Sequence, residues 1–289
     1  MATLEAPLPD VDAYVAFLAA EDLPVLRRTV HDLMALRDAA ESVNAKRIAA
    51  VVLGDPLMTL KLLAFLQSHR PNAQNHDITT IDRAIMMLGV EAFFKAFESS
   101  PTLEKALAGE PRALVGVLHL IGRARKAAHY ARDWAIARHD LDVDEITVAA
   151  LLSDISEILC WIFAPQMAMR MQQILDATPG TRSAPAFESI FGVERNALEM
   201  GLVLRWNLPR LLVTLLDESC TDNPRVRNVR LASNFVRHLT HGWDDPALPD
   251  DIDEIESLLR IGRDQLLLRL GTPAEHAHRF LPPEEEPQA

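Results

Sequence analysis

Along this chain the apolar positions recur at intervals of three and four, and β-branched runs are few. That spacing predicts helices rather than strands. After a short Pro-containing arm over residues 1–10, "VDAYVAFLAAE" (11–21) predicts a small amphipathic helix. "DLPVLRRTVHDLMALRDAA" opens the main body, with Pro24 near a helix start. "NAKRIAAVVLGDPLMTLKLLAFLQSH" divides into two helices, Asp55 suiting an N-cap and Pro56 a first helical position. The second of these carries Leu57, Met58, Leu60, Leu62, Leu63, Phe65 and Leu66. A helix apolar nearly all round belongs in the middle of a fold.

The polar stretch "RPNAQNHD" (70–77) reads as a loop, and "ITTIDRAIMMLGVEAFFKAF" as helix, glycine break, helix. Ser100 and Pro101 are expected to open a further short helix, and a long one to run from about 113 to 139. "DVDEITVAALLSDISEILCWIF" (142–163) reads as one helix, Asp142 and Glu145 having the spacing of a capping box. Pro165, "TPGT" (178–181) and the Pro185 region mark turns, and helices are expected near 194–205, 209–219 and 224–241. "GWDDPALPDDIDEIE" (242–256) is an acidic loop leading into a helix, with Trp243 packed beneath it. One or two last helices end near Phe280, and residues 281–289, closing with "PPEEEPQA", form a disordered acidic tail. The expected class is all-α, with many short helices, no repeat and no coiled coil.

One stretch raises a question of chemistry. In "LLSDISEILC" (151–160), Leu151, Asp154 and Ile158 stand at i, i+3 and i+7, on one face of the expected helix. A carboxylate between two aliphatic residues costs several kcal/mol to desolvate unless it is paired. Asp154 therefore needs either a cationic partner or a helix N-terminus to cap.

Composition narrows the setting. At 289 residues the chain can form one large helical domain or two small ones. Hydrophobic residues make up 49% and charged residues 24%, a globular mix, and the formal net charge of −12 disfavours broad attraction to nucleic acid or anionic membrane. Cys160 and Cys220 lie in apolar helical patterns without a CxxC, and read as buried free thiols of a reducing compartment. No basic n-region precedes an apolar h-region, and no apolar run is read as reaching about 18 residues. The expectation is a bacterial cytoplasmic protein with no membrane contact.

Four stretches in order resemble one family. "VVLGDPLMTLKLLAFLQS" is similar to D-P-x-L-x-x-x-L-L, and "ITTIDRAIMMLGVEAFF" to I-x-S-I-x-x-A-I-x-x-L-G. "VAALLSDISEIL" stands where A-x-L-L-H-D-I-G-K-L-L would be. "FGVERNALEMGLVLRWNLPRLLVTLL" is similar to F-G-x-x-H-x-x-x-G-x-x-L-x-x-x-W-x-L-P. Together they resemble the HDOD family, the HD-related output domain, over about 23–243. The resemblance implies an all-helical domain with an N-terminal half (about 23–110) and a C-terminal half (111–243) related to HD-type metal phosphohydrolases. An arm (1–22) would precede it, and an acidic loop with C-terminal helices (244–280) would follow. Members are regarded as bacterial signalling or regulatory modules.

HD-type hydrolases hold a divalent metal with two His and two Asp, and the metal supplies hydroxide near neutral pH. Here the central pair is Ser153–Asp154, and Ser156 and Glu157 replace the family's Gly and Lys. The resemblance places Arg123 at the upstream ligand, and an arginine stays protonated. The last carboxylate falls on Ser233 or Asn234. The vestigial site is thus Arg123, Ser153, Asp154 and Asn234. One ligand in four survives, so neither a metal nor hydrolase activity is expected.

No other residues rebuild a centre. His238 and His241, His119, and His276 and His278 fit no ligand framework and read as surface or capping groups. There is no G-x-S-x-G, P-loop or G-x-G-x-x-G, so no cofactor is expected. Two basic groups remain: Arg225, Arg227, Arg230 and Arg237, and Arg123, Arg125, Lys126 and Arg132. Either would suit an anionic ligand or partner, or would be a solvated face balanced by the acidic loop. The overall expectation is a non-catalytic regulatory module acting through contact with an unidentified regulatory protein or through ligand sensing. A divergent HD-type phosphohydrolase or cyclic-dinucleotide phosphodiesterase, and a metal-free nucleotide-binding sensor, are the alternatives. Asp154 is expected to pair with Arg123, or with Arg125 or Lys126, aided by Ser153 and Asn234, or else to cap a helix.

Overall fold

A computed structural model describes residues 2–39, 43–69, 80–177 and 182–281. The expected loop at 70–77, the turn at 178–181 and nearly all of the acidic tail lie outside them. The described residues are all-helical: α1 Val11–Ala20, α2 Arg27–Asp38, α3 Ala45–Val52, α4 Pro56–His69, α5 Ile81–Leu88, α6 Val90–Phe97, α7 Leu103–Ala106, α8 Pro111–Ala137 and α9 Val143–Leu152. The order continues with α10 Ile155–Phe163, α11 Pro165–Ala177, α12 Ser183–Phe191, α13 Arg195–Arg205, α14 Arg210–Leu216 and α15 Pro224–Leu239. It closes with α16 Leu248–Leu259, α17 Arg263–Leu270 and α18 Ala274–Ala277. An isolated parallel bridge joins Val25 to Thr102.

Local chemistry sets many of these boundaries. Asp10 accepts the Ala13 N–H at 2.8 Å to start α1, and Asn44 accepts the Arg47 N–H at 3.0 Å to start α3. Gly89 joins α5 to α6 at φ +88°, a conformation that other residues rarely adopt. Expectations about one cap, one turn and one cysteine change. Asp142 precedes α9 but makes no side-chain cap and instead meets Arg225. Pro185 lies inside the first turn of α12 rather than in a turn between helices, as suits a residue with no N–H to give. Cys220 follows α14, half-buried outside any helix, while Cys160 is buried in α10.

Asp55 does more than start a helix. Its Oδ1 accepts the Leu57 and Met58 N–H groups at 3.0 and 3.3 Å, and its Oδ2 accepts the Leu26 N–H and the Thr29 hydroxyl at 2.9 and 2.8 Å. One buried carboxylate thus joins the start of α4 to the start of α2. Asp55→Ala is expected to cost about 2 kcal/mol, because a cap is lost and buried donors are left unpaired. A urea-midpoint shift that does not differ from zero would refute this role.

The core centres on α8, which packs against α9, α10, α11 and α15 and touches α4. Its inward stripe is mostly alanine, from Ala113 through Ala124, Ala127 and Ala131 to Ala135, so its neighbours approach closely. At Gly116 a Cβ would stand 2.2 Å from the Trp161 ring of α10, so only glycine fits there. Trp243 packs between Phe235 of α15 and Phe280, with ring centroids 6.0 and 6.2 Å away.

The expected single helix over 142–163 is broken. α9 ends at Leu152, Ser153 and Asp154 form the joint, and α10 restarts at Ile155. Taken together, Val143–Phe163 is also apolar enough and long enough to cross a membrane, with mean hydropathy 1.8, contrary to the sequence reading; 89% of that window is buried inside the protein.

Candidate functional site

The α9–α10 joint is where charge is buried. Asp154 is 0% exposed, and its carboxylate faces three guanidinium groups from three different helices. Arg123 of α8 donates from Nε to Oδ2 at 2.9 Å. Arg237 of α15 and Arg195 of α13 donate to Oδ1 from Nη2 at 3.2 Å and from Nη1 at 3.4 Å. Arg123 also donates from Nη2 to Glu157 Oε2 at 2.7 Å, and Arg195 Nη1 reaches the Ser153 carbonyl at 3.1 Å. The break in the helix follows from this arrangement. It turns Asp154 toward all three arginines and frees the Ser153 carbonyl to accept one of them.

The neutral groups complete the frame. Ser153 Oγ donates to the Ala150 carbonyl at 3.0 Å, so the Ser233 hydroxyl supplies the proton in the 2.6 Å contact between the two serines. Asn234 Oδ1 accepts from Arg237 Nη1 at 3.3 Å and does not reach Asp154 directly. Asp154 makes no side-chain cap on α10. That role belongs to Glu199 of α13, whose Oε2 accepts the Ser156 N–H at 3.0 Å.

Electrostatics follow the geometry. Burial by itself would raise the Asp154 pKa, but Arg123, Arg237 and Arg195 outweigh it and hold the carboxyl well below the usual range. Burial lowers the Arg123 pKa, and Asp154 and Glu157 more than reverse that. Glu199 has weaker compensation: burial pushes it up to about 7 against the pull of Ser156 and Arg195. Three buried polar atoms here lack a protein partner: Glu199 Oε1, Ser156 Oγ and Arg237 Nε.

Of the vestigial set, the structure brings Arg123, Ser153 and Asp154 together, and Asn234 joins through Arg237. Arg125 instead donates to the Gly54 carbonyl, and Lys126 is exposed. The four arginines of α15 do not converge on one surface, and of the two readings open from the sequence the pairing of Arg230 with Glu254 agrees with a face balanced by the acidic segment. Arg225 meets Asp140 and Asp142, Arg230 donates to Glu254 at 3.0 Å, Arg227 is half-buried, and Arg237 turns into the cluster. The helix packs on both α8 and α16, so its cations are divided between two interfaces.

Arg195 and Glu199 were not singled out from the sequence. The signal was present: in the F-G-x-x-H-x-x-x-G stretch, Arg195 stands at the His position and Glu199 at the Gly position. The histidines stay apart. His238 and His241 pair with Asp251 and Asp245 at 2.6 and 2.9 Å, and His276 lies 3.5 Å from Asp244.

The divalent metal of an HD-type centre does not fit these residues. A cation beside Asp154 would have three guanidinium groups as neighbours, and both carboxylate oxygens are already hydrogen-bonded to them. Among the described residues no group of three or more His, Cys, Asp or Glu side chains is placed to hold a metal.

Comparison with known proteins agrees with this fold. Residues 23–220 match the family model of the HDOD domain. Among solved structures, the chain resembles a virulence factor from Campylobacter jejuni subsp. jejuni (TM-score 0.66, 20% identity, covering 95% of this chain and 100% of that one). It also resembles the MmoQ response regulator from Methylococcus capsulatus str. Bath (TM-score 0.63, 18% identity, 88% and 99% covered). No curated protein matches the chain. The match over 23–220, which takes in the Ser153–Asp154 joint and every helix that meets it except α15, shows that the chain belongs to the HDOD family.

Proposed function

We propose that this protein is a non-catalytic regulatory module that acts in the bacterial cytoplasm through contact with a partner protein or through a bound ligand. The observation that carries this reading is the seating of Asp154 against Arg123, Arg195 and Arg237. The family resemblance puts an HD-type metal centre at Asp154, and the guanidinium charge that faces this carboxylate can neither polarise water as a metal does nor accept a proton as a base. The cluster is then a tie between α8, α13, α15 and the α9–α10 joint. Such a tie gives the domain a rigid frame through which binding on one side can be felt on another. The two unpaired thiols support a reducing compartment.

The test is an assay with cyclic dinucleotides, mononucleotides and a generic phosphodiester, each with Mg²⁺ and with Mn²⁺. No turnover above the protein-free blank is expected. Metal-dependent turnover that disappears in a folded Asp154→Asn protein would establish the divergent hydrolase instead.

A further inference from the structure

Beside the charged cluster a cavity of about 270 Å³ opens between α13, α14 and α15. Its walls differ in character. At one end stand Arg195 and Arg237 with the hydroxyls of Ser153 and Ser233. Buried Leu215, Leu216, Val226 and Val229 provide an aliphatic side. At the mouth are the exposed carboxylates of Glu194 and Glu218.

The cationic end has unused capacity. Arg123, Arg195 and Arg237 face Asp154, Glu157 and the buried Glu199, and burial favours the neutral form of Glu199, which leaves one positive charge in excess while it is protonated. Arg237 Nε has no partner, and Arg195 Nη2 has only a 3.5 Å contact to Glu218. Glu199 lines the same cavity at 4% exposure, with Oε1 unpartnered. Buried polar atoms left without partners are costly, and a cavity edged by two residues that carry them is suited to a polar ligand.

The charge pattern selects among ligands. A multiply charged phosphate would meet repulsion from Glu194 and Glu218 at the mouth and would exceed the single surplus charge inside. The volume also lies below the ~300–1,000 Å³ of drug-sized sites, too small for a dinucleotide. A small molecule with an anionic end, a cationic end and an aliphatic body matches the arginines, the carboxylates of Glu194, Asp217 and Glu218, and the aliphatic side. We propose that this cavity binds a free aliphatic α-amino acid. Its carboxylate lies against Arg195 and Arg237, its ammonium faces Glu218 and Glu194, and its side chain lies along Leu215 and Leu216. The inference rests on the non-catalytic reading and names the ligand class that the module would sense.

Isothermal titration of the full chain with leucine and with methionine tests it. Matched probes are 4-methylpentanoate, isopentylamine, inorganic phosphate and cyclic diguanylate. Saturable binding of leucine or methionine is expected, with isopentylamine at least tenfold weaker, since it lacks the group that the arginines hold. Glu218→Gln, which removes the charge and keeps an oxygen that can accept from Asn196, should weaken leucine binding about fivefold. The proposal is overturned if neither amino acid binds saturably. It is also overturned if phosphate or cyclic diguanylate binds as tightly as leucine, or if Glu218→Gln leaves leucine affinity unchanged. Mass spectrometry of the incubated mixture separates the two readings. Unchanged leucine supports both, whereas consumed leucine would sink the non-catalytic reading and leave the binding site standing.

Discussion

Replacing Asp154 with alanine is expected to lower the unfolding free energy by about 3–5 kcal/mol, the usual cost of removing one partner from a buried ion pair. The wild-type carboxylate is shared by three guanidinium groups, so its loss weakens the pairing of all three and leaves Arg237 without its carboxylate. Side-chain exposures of 11–18% give those cations little water in exchange. Arg123 keeps a second carboxylate, Glu157, and Arg195 a 3.5 Å contact to Glu218, whereas Asp154 is the one carboxylate paired with Arg237 among the described residues. Arg123→Ala should therefore also destabilise, and the double variant should lose less than the sum of the two, because the groups act as one network. Urea unfolding followed by far-UV circular dichroism measures all three. Additive losses, or a change in Asp154→Ala within about 0.5 kcal/mol of zero, the size of an ordinary surface substitution, would show that the cluster does not tie the helices.

The second large effect concerns pH. The Glu199 carboxyl is pushed up to about 7 in the folded protein from an ordinary 4.5. A group whose folded pKa is raised adds stability that is complete below the unfolded value and is lost as pH rises through the folded one. The protein should therefore lose stability between about pH 4.5 and 7 through this residue, by roughly 3 kcal/mol at 1.36 kcal/mol per pKa unit. Burial is the chief cause, with Asp154 adding to it and Ser156 and Arg195 opposing it. Glu199→Gln cannot ionise, so its stability relative to wild type should rise across that window. Parallel stability curves for the two proteins from pH 5 to 8 would refute the assignment.

Much of the frame is legible in the sequence because it is local. The Asp55–Pro56 pair marks the start of α4, and the alanine-rich stripe of α8 shows its core-facing side, since caps and periodicity depend on neighbours within a turn or two. The break at Ser153–Asp154 is not local. Residues on both sides of it are buried, so the apolar pattern over 142–163 runs on without a phase change. The joint exists because α8, α13 and α15 bring arginines to one carboxylate. The division of the α15 arginines is hidden for the same reason: spacing places them on the helix, but only the packing of α8 and α16 decides which turn inward. Arg195 and Glu199 were readable as departures from the family stretch, yet their meeting with α10 is a matter of tertiary structure.

The joint also bears on the chain before it folds. Val143–Phe163 is 21 residues long and is the most membrane-like stretch among the described residues. Asp154 falls near its midpoint, where a carboxylate costs about 2.5–3.5 kcal/mol on insertion into a bilayer. The residue that gathers three arginines in the finished protein thus also discourages the nascent segment from partitioning into lipid.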